Sequence, residues 1–162
     1  MKKIVIIGAN DFQNQLILKA KEMGFETHVF AWQDGSIGER TADYFYPVSI
    51  VEIDEILEKC KEIKPDAVAT IASDLANITV SKVAAGLGLP GNTPECIEIS
   101  TNKYAMRSAF LKAGIPTPAF YKVDQVQDEL YKMKLPVIVK PTDRSGSRAI
   151  TKITDFKDLE GA

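Results

Sequence analysis

The sequence is poor in the residues that most often announce chemistry. It has one histidine, two cysteines and one tryptophan in 162 residues. Cys60 and Cys96 lie in separate helical patterns without metal-type spacing, so no thiolate metal site or disulfide framework is implied and both read as small packed thiols. His28 sits among apolar neighbours in "FETHVFAW" and reads as a packed strand residue, not a catalytic base. Trp32 and the Tyr44, Phe45, Tyr46 cluster read as packing, not as a platform for stacking bases. Long apolar runs are missing: the one in "MKKIVIIGAN" is about five residues, too short for a signal-peptide core or a membrane span. A cytoplasmic protein with no membrane partner is the expectation. Excess charge of one sign is missing too. A net charge of -2 from 20 basic and 22 acidic residues argues against a nucleic-acid partner held by bulk electrostatics.

What is present is an ordinary globular composition, 45% hydrophobic and 26% charged, with room for one domain or for one domain and part of another. "KKIVIIGAN" is a continuous β-branched run ending at glycine, the pattern of a strand covered on both faces. Phe12, Leu16, Ile17, Ala20 and Met23 then recur at helical spacing up to Gly24. "FETHVFAW" is a second strand, "QDGSIGERTADYF" a connection, and "YFYPV" a short third strand. "EIDEILEKCKEIK" is an amphipathic helix stopped by Pro65, "DAVATIAS" a strand, and Leu75 to Leu87 a helix. This alternation predicts an α/β fold with a Rossmann-like parallel sheet over residues 1–92.

From residue 93 the grammar changes. "TPECIEIS" opens with a Thr cap and a Pro at the first helical position, and "NKYAMRSAFLKAG" is a second helix closed by Gly114. "IPTPAFYKV" runs into a strand, Asp124 caps a helix reaching Met133, and "PVIVK" and "RAITKIT" are strands flanking a loop. "TDFKDLEGA" reads as the first turns of another helix. Residues 93–162 are therefore expected to form linker helices and an incomplete α+β unit.

Lys140 ends an apolar strand, so its ammonium stays solvated or paired only by pointing to the strand's C-terminal mouth, where α/β proteins bind ligands. The loop after it, with Ser145, Gly146, Ser147 and Arg148, offers N–H groups, hydroxyls and a glycine able to take positive φ, all suited to wrapping a phosphate chain. A snorkelling surface lysine beside an ordinary hairpin loop is the other reading. No G-x-x-x-x-G-K-[ST] pattern occurs, which excludes a P-loop.

"TNKYAMRSAFLKAGIPTP" followed by "LPVIVKPTDRSGSRAI" resembles the ATP-grasp superfamily of ligases, whose members carry these pieces in this order and at about this spacing. The front of the chain is similar to their pre-ATP-grasp domain, as in carbamoyl phosphate synthetase large subunits and glycinamide ribonucleotide synthetases. The resemblance spans nearly the whole chain. It implies that Lys103 and Lys140 hold the phosphates of ATP, that Ser145, Gly146, Ser147 and Arg148 belong to a closing flap, and that the "GANDF" and "ASDLAN" loops face a substrate through Gly8, Asn10, Asp74 and Asn77. Asn10, Asp74 and Asn77 read equally as helix caps. The implied activity joins a carboxylate to an amine through an acyl phosphate, with ATP and Mg as cofactors and a homodimer as a possible assembly. Ala149 stands where relatives often have glycine. The resemblance puts the magnesium ligands and adenine site beyond residue 162, so this chain alone is expected to be inactive. Two rival readings stay open. A nicotinamide-dependent enzyme is disfavoured because Gly8-Ala9-Asn10-Asp11-Phe12-Gln13 lacks the second and third glycines of G-x-G-x-x-G. A stand-alone binding module working with a separate partner chain is the other.

Overall fold

The computed structural model describes residues 1–125, 128–143, 146 and 149–161. Strand β1, Lys3–Ile7, carries the apolar run and lies between β2, Glu26–Phe30, and β4, Ala67–Ala69; β3, Tyr44–Tyr46, pairs with the far side of β2. All three pairings are parallel, in the order β3-β2-β1-β4, with Val5 opposite both His28 and Val68. Successive residues of β1 go to opposite faces. Val5, Ile7 and Phe30 pack with Ile56, Cys60 and Ile63 of helix α3, Ile53–Ile63, and with Ala76 and Val83 of α4, Asp74–Gly86. Ile6 and Val29 pack with Ile17 and Ala20 of α1, Asp11–Glu22. Two covered faces explain why β1 is apolar at every position from Ile4 to Ile7 and does not alternate.

One correction falls in the stretch expected to be only a connection. Residues Ile37–Thr41 form a short helix, α2, whose Gly38 N–H donates to the Ala9 carbonyl at 2.9 Å. A Cβ on Gly38 would lie 2.6 Å from that oxygen, so only glycine permits the approach. Asp43, just after α2, accepts from Lys21 Nζ at 2.7 Å, from Thr27 N–H at 2.9 Å and from the Thr27 hydroxyl at 2.8 Å. Behind it His28, 4% exposed, bonds Tyr46 through Nδ1 at 2.9 Å and Glu26 through Nε2 at 2.8 Å, and Tyr44 stacks on its ring. Burial pushes the Tyr46 phenol above its usual pKa. Burial likewise pushes the Cys60 thiol up to about 12, which removes it as a nucleophile near neutral pH, whereas Cys96 is exposed.

The chain divides into two compact units, Met1–Ile97 and Glu98–Ala162, the division falling inside α5, Pro94–Thr101. The second unit opens with α6, Lys103–Lys112, whose cap Asn102 accepts from Tyr104 and Ala105 N–H. Residues 115–123 carry no strand, contrary to expectation. They lie along α6 in extended form, held by Arg107 Nη1 donating to Thr117 Oγ1 at 3.0 Å and by Phe120 set edge-on to Tyr104. Two prolines in "IPTPAF" remove the N–H groups that a sheet ladder would need. In place of the expected helix before Met133 there is a 3₁₀ turn, Asp128–Lys132, and another, Phe156–Gly161, stands where a new helix was expected. Strands β5, Val137–Val139, and β6, Thr151–Ile153, pair antiparallel over a small core of Leu130, Ile153 and Leu159. No helix among the described residues is long and apolar enough to cross a membrane.

Candidate functional sites

The expected site residues fall in both units. In the first, β1 and β4 are neighbours, while the chain leaves β1 through α1 toward β2 on the other side. The strand order reverses between β1 and β4, and the crevice beyond their C-terminal ends is where doubly wound sheets bind ligands. Gly8 and Asn10 border that crevice from β1, and Asp74 and Asn77 lie at the start of the helix that follows β4. Gly8 adopts φ +100 and donates its N–H to Phe30 O at 2.8 Å. Asn10 caps α1, its side chain accepting from Phe12 N–H at 2.9 Å and Gln13 N–H at 3.4 Å. At α4 the cap is Ser73, accepting from Ala76 N–H at 3.2 Å, and Asp74 is the first helical residue. Asn77 contributes its backbone N–H to Ser73 O and is half-buried.

Two residues that sequence reasoning passed over tie these loops to each other. Thr70 Oγ1 donates to Ile7 O at 2.7 Å, and the Gln13 side-chain amide donates to Ile71 O. Gln13 is 1% exposed. A long polar side chain at the place of the third fingerprint glycine was the signal, because such a residue in the first turn beside a sheet must find partners when buried.

In the second unit Lys140 leaves β5 directly after Val139, exposed as its position at the strand end requires. Lys103, the first residue of α6, donates its backbone N–H to Thr142 O at 2.8 Å. That bond holds the head of α6 against the segment that follows Lys140, two residues on. The loop continues through Gly146, at φ +71, to Ala149, which takes φ +52. Ser145, Ser147 and Arg148 lie outside the described residues. Among the described residues no three His, Cys, Asp or Glu side chains come together to hold a metal ion.

No family model matches the chain. Over 98% of its length it is 22% identical to a formate-dependent phosphoribosylglycinamide formyltransferase of Prochlorococcus marinus, and covers 42% of that protein. It is 30% identical over 111 residues to an alanine–anticapsin ligase of Bacillus subtilis, 67% of this chain and 23% of the relative. The crystal structure of N5-carboxyaminoimidazole ribonucleotide synthetase from Thermotoga maritima superposes on all of the chain with a TM-score of 0.81 at 26% identity, and 43% of that protein is covered. These relatives are ATP-grasp carboxylate–amine ligases. Along its whole length the chain is similar to ATP-grasp ligases. Its four-stranded parallel sheet matches the N-terminal domain of the ATP-grasp enzymes. The chain spans well under half the length of the curated relatives it matches.

Proposed function

We propose that this chain serves an ATP-dependent ligation in which a carboxylate oxygen attacks the γ-phosphorus of ATP, ADP leaves, and an amine then displaces phosphate from the acyl phosphate. Lys103 and Lys140 hold the ATP phosphates, with Gly146 and, beyond the described residues, Ser145, Ser147 and Arg148 closing over them. The crevice bordered by Gly8, Asn10, Asp74 and Asn77 receives the acid or the amine. The observation that carries the reading is the Lys103 N–H bond to Thr142 O, which draws the two lysine positions together. Two ammonium groups suit the task because most of the work in phosphoryl transfer is positioning and charge neutralisation. ATP fits the residues present. Magnesium supplies further neutralisation of the phosphates in such chemistry; among the described residues no three His, Cys, Asp or Glu side chains gather to hold it.

Titration of the protein with ATP tests the reading. Lys140→Ala and Lys103→Ala are each expected to weaken binding by about 1 to 3 kcal/mol, the range for losing a charge-assisted contact, or about 5- to 150-fold in Kd. Unchanged titrations in both variants would refute the phosphate assignment. ADP release requiring both an acid and an amine is the corresponding signature of the reaction.

A further inference from the structure

The head of α1 is built in a way the ligation reading does not require. A phosphate in a doubly wound sheet is ordinarily held at the N-terminus of the first helix, where free N–H groups and close glycines let it approach. Here that position is filled. Asn10 Oδ1 already takes the Phe12 and Gln13 N–H groups. The Gln13 side chain lies over Gly8, its Cγ and Cδ both 3.1 Å from where a Gly8 Cβ would stand, and its amide is spent on Ile71 O. Asp11 puts a carboxylate in the first turn of α1, and Asp74 does the same for α4 across the crevice, where Ser73 has likewise taken an N–H. Asn14, the next residue of α1, is 5% exposed and its Oδ1 has no hydrogen-bond partner among the described residues.

We infer that Gln13, with Asn10, determines substrate class at this crevice by occupying the phosphate position, so that the ligand received there carries no phosphoryl group: an unphosphorylated amino acid or small carboxylic acid, not a ribonucleotide. The inference rests on the reading of this crevice as the substrate site. Relatives named for each class occur, alanine in one case and a ribonucleotide in another, so the distinction is a real branch point. Gln13 acts here as a positioning residue. It also ties the β1 and β4 loops through Ile71, and so sets the width of the opening.

The test is residue-resolved NMR of the ¹⁵N-labelled protein titrated with ribose 5-phosphate. In the wild type the amides of Gly8 to Gln13 are expected to show no saturable shift, while the Asn10→Gly, Gln13→Ala double variant gains saturable shifts there. Because Gln13 is buried, Asn10→Gly alone serves as the second variant: it leaves the core intact and frees two N–H groups, and a smaller gain at Phe12 and Gln13 is expected. Saturable shifts at these amides in the wild type would overturn the inference, as would a well-dispersed spectrum of either variant that gains nothing. ATP added separately reads the lysine site in the other unit. Loss of the ATP response with an unmoved ribose 5-phosphate result would sink the nucleotide assignment and leave this inference standing.

Discussion

Lys64 closes α3 with φ 55, a left-handed backbone that costs an L-residue with a Cβ about 1 to 2 kcal/mol. Its N–H donates to Cys60 O at 2.8 Å and its side chain is exposed, so the cap is made by the backbone alone. Lys64→Gly should therefore stabilise the protein by about 0.5 to 1 kcal/mol, once the greater freedom of an unfolded glycine is set against the relieved strain. The check is the midpoint of chemical unfolding, which should rise without a change of slope. Ala149 shares this conformation at φ 52. Glycine would take this conformation without strain. Residue-scale features of this kind are only half legible beforehand: "EIKPDA" announces a helix stop through Pro65, but nothing in its composition says that a lysine will adopt the left-handed turn. Gln13 is similar. Its departure from the fingerprint was visible in the sequence, yet its partner, Ile71 O, lies across a strand pairing that periodicity does not specify.

Elements with strong, continuous patterns were readable because their burial is uniform. β1 is apolar from Ile4 to Ile7 since both its faces are covered, and α3 alternates cleanly since one face meets the sheet. α2 was not readable. Five residues are too few for periodicity, and what forms them is tertiary: the Gly38 bond to Ala9 and the anchoring of Asp43 to Lys21 and Thr27. Partial burial alone would raise the Asp43 carboxyl, but the hydrogen bonds from Lys21 and from Thr27, with the Lys21 charge, overcome it and hold the pKa near about 2. A carboxyl depressed below its unfolded value contributes stability that is fully present above the unfolded pKa of 3.8 and is lost as pH falls through the folded value near 2. After discounting for solvent at this part-exposed pair, the contribution is about 1 kcal/mol. Asp43→Asn should remove it at pH 7 and leave a difference from the wild type that shrinks between pH 4 and pH 2. Unfolding curves of the two proteins across that window measure this, and a difference independent of pH would show that the carboxylate charge is not what joins β2 to the start of β3.

At the scale of the whole molecule the two units are unequally built, and that inequality carries a functional prediction. The first has a sheet packed on both faces, with Ile6, Ile7, Phe30 and Ile56 fully buried. In the second, among the described residues, only Leu130, Ile153 and Leu159 are buried apolar side chains, and α6 buries none. Opening free energy follows buried apolar contact, so the amides of α6, β5 and β6 should exchange with solvent much faster than those of β1 and β2. A ligand that binds only the closed form of the second unit adds RT ln(1 + [L]/Kd), about 2.7 kcal/mol at a hundredfold excess over Kd. If Lys103 and Lys140 hold the phosphates of ATP, saturating ATP should slow exchange in α6 and in the β5–β6 pair by up to about a hundredfold and leave β1 and β2 as they were. Hydrogen exchange with and without ATP reads this directly. Protection confined to the first unit would place the nucleotide in the strand-end crevice, and protection in neither would leave the two lysines without their proposed ligand. Protection in the second unit that Lys140→Ala abolishes would tie the ordering of that unit to nucleotide binding.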